Sequence, residues 1–155
     1  MAEDVTFPSP RRLALATYVK LMRAANSARN VASHDLADTE LTLTQFAVLE
    51  ALYHLGPMSL SDLAEKVLTT GGNLTMVANN LEKQGLAKRQ RSPEDGRVQV
   101  VVLTAKGKTL IRSIFPRHAA ALADFIGILS PQEQEMLGEL CRKLGRQSAY
   151  ALESA

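Results

Sequence analysis

Apolar residues along this chain return mostly at helical spacing, and short polar or turn-forming groups divide them into segments. Leu13, Ala16, Leu21, Ala24, Ala25 and Ala28 predict a long helix. It starts at Ser9-Pro10, read as an N-cap with Pro at N1, and runs to about His34. Ala37–Leu41 reads as a short connection. Thr42 and Gln45 have capping-box spacing, and Phe46, Leu49, Leu52 and Tyr53 continue a second helix to Gly56-Pro57. Ser59 caps a short third helix with Asp62 near its positive end and Leu60, Leu63, Ala64 and Val67 as its stripe. After Thr69-Thr70-Gly71-Gly72 a fourth helix runs to about Gln84, with Gly85 in the place of a C′ glycine.

The period then changes. Leu86–Arg91 and Arg97–Leu103 predict two strands, the second rich in β-branched Val98, Val100, Val101 and Val102. Ser92-Pro93-Glu94-Asp95-Gly96 is a turn-rich tip between them. Thr104 caps a fifth helix, in which Pro116 predicts a kink or a break. Ser130-Pro131-Gln132-Glu133 opens a last helix bearing Met136, Leu137, Leu140 and Leu144. The chain is therefore mainly α with a small β-hairpin. Three short helices followed by a hairpin is the layout of a winged helix-turn-helix, and long helices flank it. Residues 1–155 read as one unit, with a winged lobe at 42–104 and a helical lobe made of 10–34 and 105–152.

On a wheel of roughly 100° per residue, Leu74, Val77, Ala78 and Leu81 of the fourth helix share one side. Met76, Asn79 and Lys83 point the other way, with Thr75 and Asn80 on the flanks. A plain solvent face carries more Glu and Lys. This one offers short groups suited to base edges: Asn pairs bidentately with adenine, while Thr and Met touch a thymine methyl. Lys83 suits a phosphate. Gly71, Gly72 and Asn73 sit where free N–H groups bind phosphate and small residues allow close approach. An ordinary polar face is the competing reading, and the wheel alone does not choose.

Charge shifts the balance. The net charge is only +2, but it is unevenly spread. Residues 1–65 hold five basic and eight acidic residues (−3), 66–112 nine and three (+6), and 113–155 four and five (−1). The basic middle holds Lys88, Arg89, Arg91 and Arg97 on the hairpin, and a basic ribbon beside a groove-reading helix can enter a minor groove with Arg. With 46% hydrophobic residues the chain can bury a core. No apolar run reaches the ~18–20 residues of a membrane span. Met1–Val5 carries acids where a signal peptide carries Lys or Arg, so a cytoplasmic protein is expected.

Three segments together resemble MarR-family regulators: Leu60–Lys66, Asn73–Leu86, and Asp95-Gly96-Arg97 followed by Val102-Leu103-Thr104-Ala105-Lys106-Gly107. The resemblance spans about residues 10–148. It implies a transcriptional regulator, usually a repressor relieved by a small ligand, acting on a near-palindromic operator in double-stranded DNA. It also implies a homodimer built from the first, fifth and sixth helices, so the helical lobe becomes a dimerisation lobe. Thr75, Met76, Asn79 and Asn80 would read the major groove, and Asp95 would orient Arg97 at the wing tip. Members often carry Arg or Lys where this chain has Gly96, which implies a weaker grip or compensation by Arg91. Leu52–Pro57 and Thr69–Asn73 resemble a branch responding to quinones and other phenolic electrophiles, so a small aromatic or phenolic effector is expected.

Other chemistry is thin. His34, His54 and His118 form no i, i+4 pair, so no metal site is expected. Cys141, the single cysteine, lies beside Arg142 and Lys143, which can lower a thiol pKa; an inert thiol is expected, since the peroxide-sensing relatives place theirs near the N-terminus. Tyr18, Met22, Phe46, Tyr53 and Phe115 either line a cavity or pack in the core, and His54 either ends its helix or joins the same pocket. The expected effector set is Tyr18, Met22, Phe46, Tyr53 and His54. Asp35, Asp38 and Glu40 read as a solvated loop. No phosphate loop, nucleophile elbow or dinucleotide fingerprint appears, so neither an enzyme nor a cofactor is expected. A winged helix that binds protein instead of DNA remains the alternative, and the +6 middle argues against it.

Overall fold

Capping chemistry sets the element boundaries. The computed structural model describes residues 9–67 and 71–153, with side chains placed for 10–67 and 72–146. In chain order they form α1 (Ser9–Asp35), α2 (Leu43–Leu55), β1 (Met58–Ser59), α3 (Leu60–Lys66), α4 (Gly71–Lys83), β2 (Ala87–Arg91), β3 (Gln99–Leu103), α5 (Ala105–Ile126) and α6 (Pro131–Glu153). The expected cap at Ser9, the Met1–Val5 terminus and Thr69-Thr70 of the turn before α4 lie outside the described residues and side chains. Thr42 Oγ1 accepts from the Gln45 N–H at 3.2 Å, and Gln45 Oε1 accepts from the Thr42 N–H at 2.8 Å. Ser130 and Glu133 make the same reciprocal pair at the start of α6. The Ser130 N–H and hydroxyl hold the Glu133 carboxyl below its ordinary pKa.

One buried cluster joins the helices to the sheet. Phe46, Leu49, Leu63, Leu74, Leu81, Val101 and Ile111 are its largest fully enclosed side chains. Leu36 at the end of α1 and Ile111 and Ile114 of α5 belong to it, so the core reaches beyond residues 42–104. Among the described residues no helix is long and apolar enough to cross a membrane.

Two expectations are corrected. The sheet has three antiparallel strands in the order β1-β3-β2, not two. Met58 and Ser59 pair with Val101 and Val100. A two-residue strand has no period to read; it exists because β3 offers it an edge. Of the kink or break expected at Pro116, the break does not occur: α5 runs through that residue as one helix. Ile111, Ile114 and His118 are buried on either side of it. Packing on both flanks offsets the missing N–H, worth about 3 kcal/mol in a free helix.

Candidate nucleic-acid interface

The wheel drawn for α4 holds. Leu74, Ala78 and Leu81 have no exposed surface and Val77 has 7%. Gly72, Thr75, Met76, Asn79, Asn80 and Lys83 are exposed, Met76 by 57%, and Asn73 is half-buried. The outward side thus presents short polar groups and one methionine and carries a single charge, at Lys83.

Three local devices fix this helix. Gly85, at φ +70, ends it in a Schellman turn: its N–H donates to Glu82 O at 2.9 Å and the Leu86 N–H to Leu81 O at 2.9 Å. The Glu82 carboxylate then reaches β2. One oxygen accepts the Arg89 backbone N–H at 2.6 Å and the other pairs with the Arg89 guanidinium. Arg89 also donates to Thr75 O at 3.5 Å. This basic residue therefore braces helix against wing, its charge paired with Glu82. Thr104 completes the junction. Its hydroxyl donates to Gly85 O at 2.7 Å and accepts the Gly107 N–H at 3.0 Å, tying the exit of α4 to the entry of α5.

At the wing tip Ser92 Oγ accepts the Glu94 and Asp95 N–H groups, and Asp95 Oδ1 accepts the Arg97 backbone N–H at 3.0 Å. The tip is thus shaped by its own side chains, and Asp95 acts on the main chain at Arg97. Lys83, Lys88, Arg91 and Arg97 are all exposed, and none forms an ion pair among the described residues. Gly96 is exposed at the same tip, with open space where a side chain would project.

Among the described residues the expected effector set falls in three places. Phe46 is 1% exposed and packs at a tilt against buried His118, ring centroids 4.3 Å apart, so it is a core residue. Tyr53, His54 and Phe115 form an aromatic chain at 5.1 and 4.7 Å, with Arg112 Nε donating to the Tyr53 hydroxyl at 3.2 Å. Tyr18 and Met22 stand exposed on α1. His54 lines a cavity of about 290 Å3 with Glu50, Leu55 and Lys66.

The acidic loop is also corrected. Asp38 binds the Arg117 guanidinium with both oxygens at 2.8 Å, and Asp35 pairs with Arg117 Nε at 3.2 Å. The Arg117 hydrogen bonds hold Asp38 below the usual carboxylate range, and Asp38 in turn raises Arg117. Asp35 is largely buried, 3.6 Å from His118 Nδ1. No signal in the sequence joins Asp38 to a residue 79 positions away.

The MarR family model matches residues 41–98. The HTH-type transcriptional regulator MhqR of Bacillus subtilis is 37% identical over 131 residues, covering 84% of this chain and 90% of that protein. Among solved structures, BpsR of Bordetella bronchiseptica, described with the regulation of its DNA binding by 6-hydroxynicotinic acid, is 28% identical. It superposes with a TM-score of 0.72 over 81% of this chain and 89% of its own. Sco3205 of Streptomyces coelicolor, a MarR-family regulator solved with DNA, shares the fold at a TM-score of 0.77 and 24% identity, covering 95% of this chain and 92% of its own.

Proposed function

The chain belongs to the MarR family of DNA-binding transcriptional regulators, and from that membership we propose how its surface is used. Two copies pair through α1, α5 and α6. Each sets α4 into a major groove, and the two recognition helices lie ~34 Å apart, one turn of B-DNA, on a near-palindromic operator. Thr75, Met76, Asn79 and Asn80 face base edges. Gly72, Asn73 and Lys83 face phosphates. Arg91 and Arg97 carry the wing to the neighbouring backbone or minor groove, with Asp95 shaping the tip. The observation that carries this reading is the division of α4. One side is sealed in the core, and the other presents Met76, Asn79 and Asn80 to solvent beside a hairpin whose Arg91 and Arg97 form no ion pair among the described residues.

The chain represses its target genes from the cytoplasm, and a small molecule releases it. The regulation described for BpsR supports a ligand of modest size. Such a ligand acts by favouring a spacing of the two helices that the groove does not accept. Of the effector set, Tyr18, Met22, Tyr53 and His54 remain candidates.

Competition gel shifts against operator and random duplex test the contacts. Asn79→Ala is expected to lose roughly 10–100-fold in discrimination and to keep its non-specific affinity. Arg97→Ala is expected to weaken binding to both duplexes and to reduce the slope of log affinity against log salt by about 1 per protomer. Parental behaviour from both variants would show that DNA meets another surface.

A further inference from the structure

The ion pair between Glu82 and Arg89 stands at a place that matters beyond bracing. Thr75 and Glu82 lie about two helical turns apart, so they share one flank of α4. That flank faces β2. Arg89 gives its backbone N–H to one Glu82 oxygen at 2.6 Å and its guanidinium to the other, and reaches back along α4 to Thr75 O at 3.5 Å. The pair therefore runs along the seam between helix and wing. It is not sealed: the Arg89 side chain keeps 22% of its surface and that of Glu82 keeps 30%. Of the cations on β2, Lys88 and Arg91 are exposed, and Arg89 alone is matched by an acid among the described residues.

DNA geometry gives the seam a meaning. A helix in a major groove and a wing in the minor groove beside it straddle one sugar-phosphate strand, because that strand is the wall between the two grooves. The strand passes over the seam. An unpaired guanidinium there would hold a phosphate on any sequence.

We propose that Glu82 is a specificity-determining residue, acting by withholding the Arg89 charge from the DNA backbone. The guanidinium instead keeps the Thr75 turn of α4 aligned with the wing. Sequence-independent affinity falls, the reading residues keep their pose, and the ratio of operator to random binding rises on both counts. The inference rests on α4 entering a major groove with the wing in the neighbouring minor groove.

The test compares Glu82→Gln with the double variant Glu82→Gln/Arg89→Gln in the full chain. Competition gel shifts on operator and random duplex are run across a salt series. The new amide oxygen still accepts the Arg89 N–H, so the link to β2 survives while the charge pairing is lost. Glu82→Gln is expected to steepen the slope of log affinity against log salt by about 1 per protomer and to tighten random duplex about tenfold at ~0.1 M salt. Operator gains the same phosphate contact but loses alignment at Thr75, so it tightens less, and discrimination falls at least about threefold. The double variant removes the unmasked charge and should return slope and random-duplex affinity to the parental values. A purely structural brace would move stability and leave the salt slope alone. A parental or shallower slope in Glu82→Gln, or a steeper one that persists in the double variant, would overturn the role of Glu82. With Asn79→Ala and Arg97→Ala behaving as expected, that result would strike this role alone. Parental binding by those two variants would remove the reading surface, and this role with it.

Discussion

Leu140→Asp is expected to leave the protein monomeric at micromolar concentration and to lower operator affinity by at least about a thousandfold. The reason lies in the surface of α6. Every residue from Pro131 to Arg146 is exposed in the single chain, and the exposed large apolar side chains Met136, Leu137, Leu140 and Leu144 repeat at helical spacing. Leu13, Leu15, Tyr18, Val19 and Met22 do the same along α1, and Ile128 between α5 and α6 is 85% exposed. A helix with so little support from its own chain draws its stability from packing elsewhere. In the proposed dimer a second copy covering both stripes would supply that packing. In a symmetric pair the change is present twice, once in each copy. Losing two buried leucines and adding two carboxylates at an apolar seam costs about 6 kcal/mol or more, near 10,000-fold in the dimer dissociation constant. Each monomer then meets one half-site, and the gain from a tethered second contact disappears. Sedimentation equilibrium measures the first effect and operator titration the second. A Leu140→Asp protein that sediments as a parental dimer would place the pairing surface elsewhere.

Much of this was legible because the decisive signals are local. Thr42 with Gln45, Ser59 with Asp62 and Ser130 with Glu133 are contacts three residues apart, written directly into the sequence. The buried side of α4 follows from the spacing of Leu74, Val77, Ala78 and Leu81, and its outward side follows by exclusion. What stayed hidden depends on distant partners. β1 is a strand only because Val100 and Val101 lie beside it. Pro116 stays helical only because the residues around it are packed. Asp35 and Asp38 look like a solvated loop until Arg117 arrives from α5. Phe46 has the spacing of a core residue and the chemistry of a pocket residue, and only its place against His118 decides between them. The brace between Glu82 and Arg89 falls between these cases. Both residues were visible as part of a charged segment, but the turn at Gly85 had to be known before they could be paired.

The same turn makes Gly107 the most tightly enclosed of the described glycines. A Cβ there would lie 2.0 Å from Leu86 O and 3.0 Å from Leu86 C, both backbone atoms that no rotamer change can move. Leu86 O is also engaged, accepting from the Thr104 N–H at 3.1 Å. Gly107→Ala therefore forces the first turn of α5 away from the α4–β2 link and loosens the Thr104 clasp as it does so. The expected loss is about 3–5 kcal/mol, or roughly 10 °C in Tm, read from urea and thermal unfolding. Gly72→Ala is the control. Nothing lies within 4 Å of its added carbon, so its stability should stay within about 1 kcal/mol of the parent. Equal midpoints for parent and Gly107→Ala would mean that the two backbones do not approach so closely. In the proposed dimer the junction matters beyond stability, because α5 would lead toward the seam and α4 would carry the reading face. Their contact at Leu86 and Gly107 sets the angle between the two. A destabilised junction should therefore lower operator affinity in the protein that remains folded, by relaxing the spacing of the paired helices without altering any group that touches DNA.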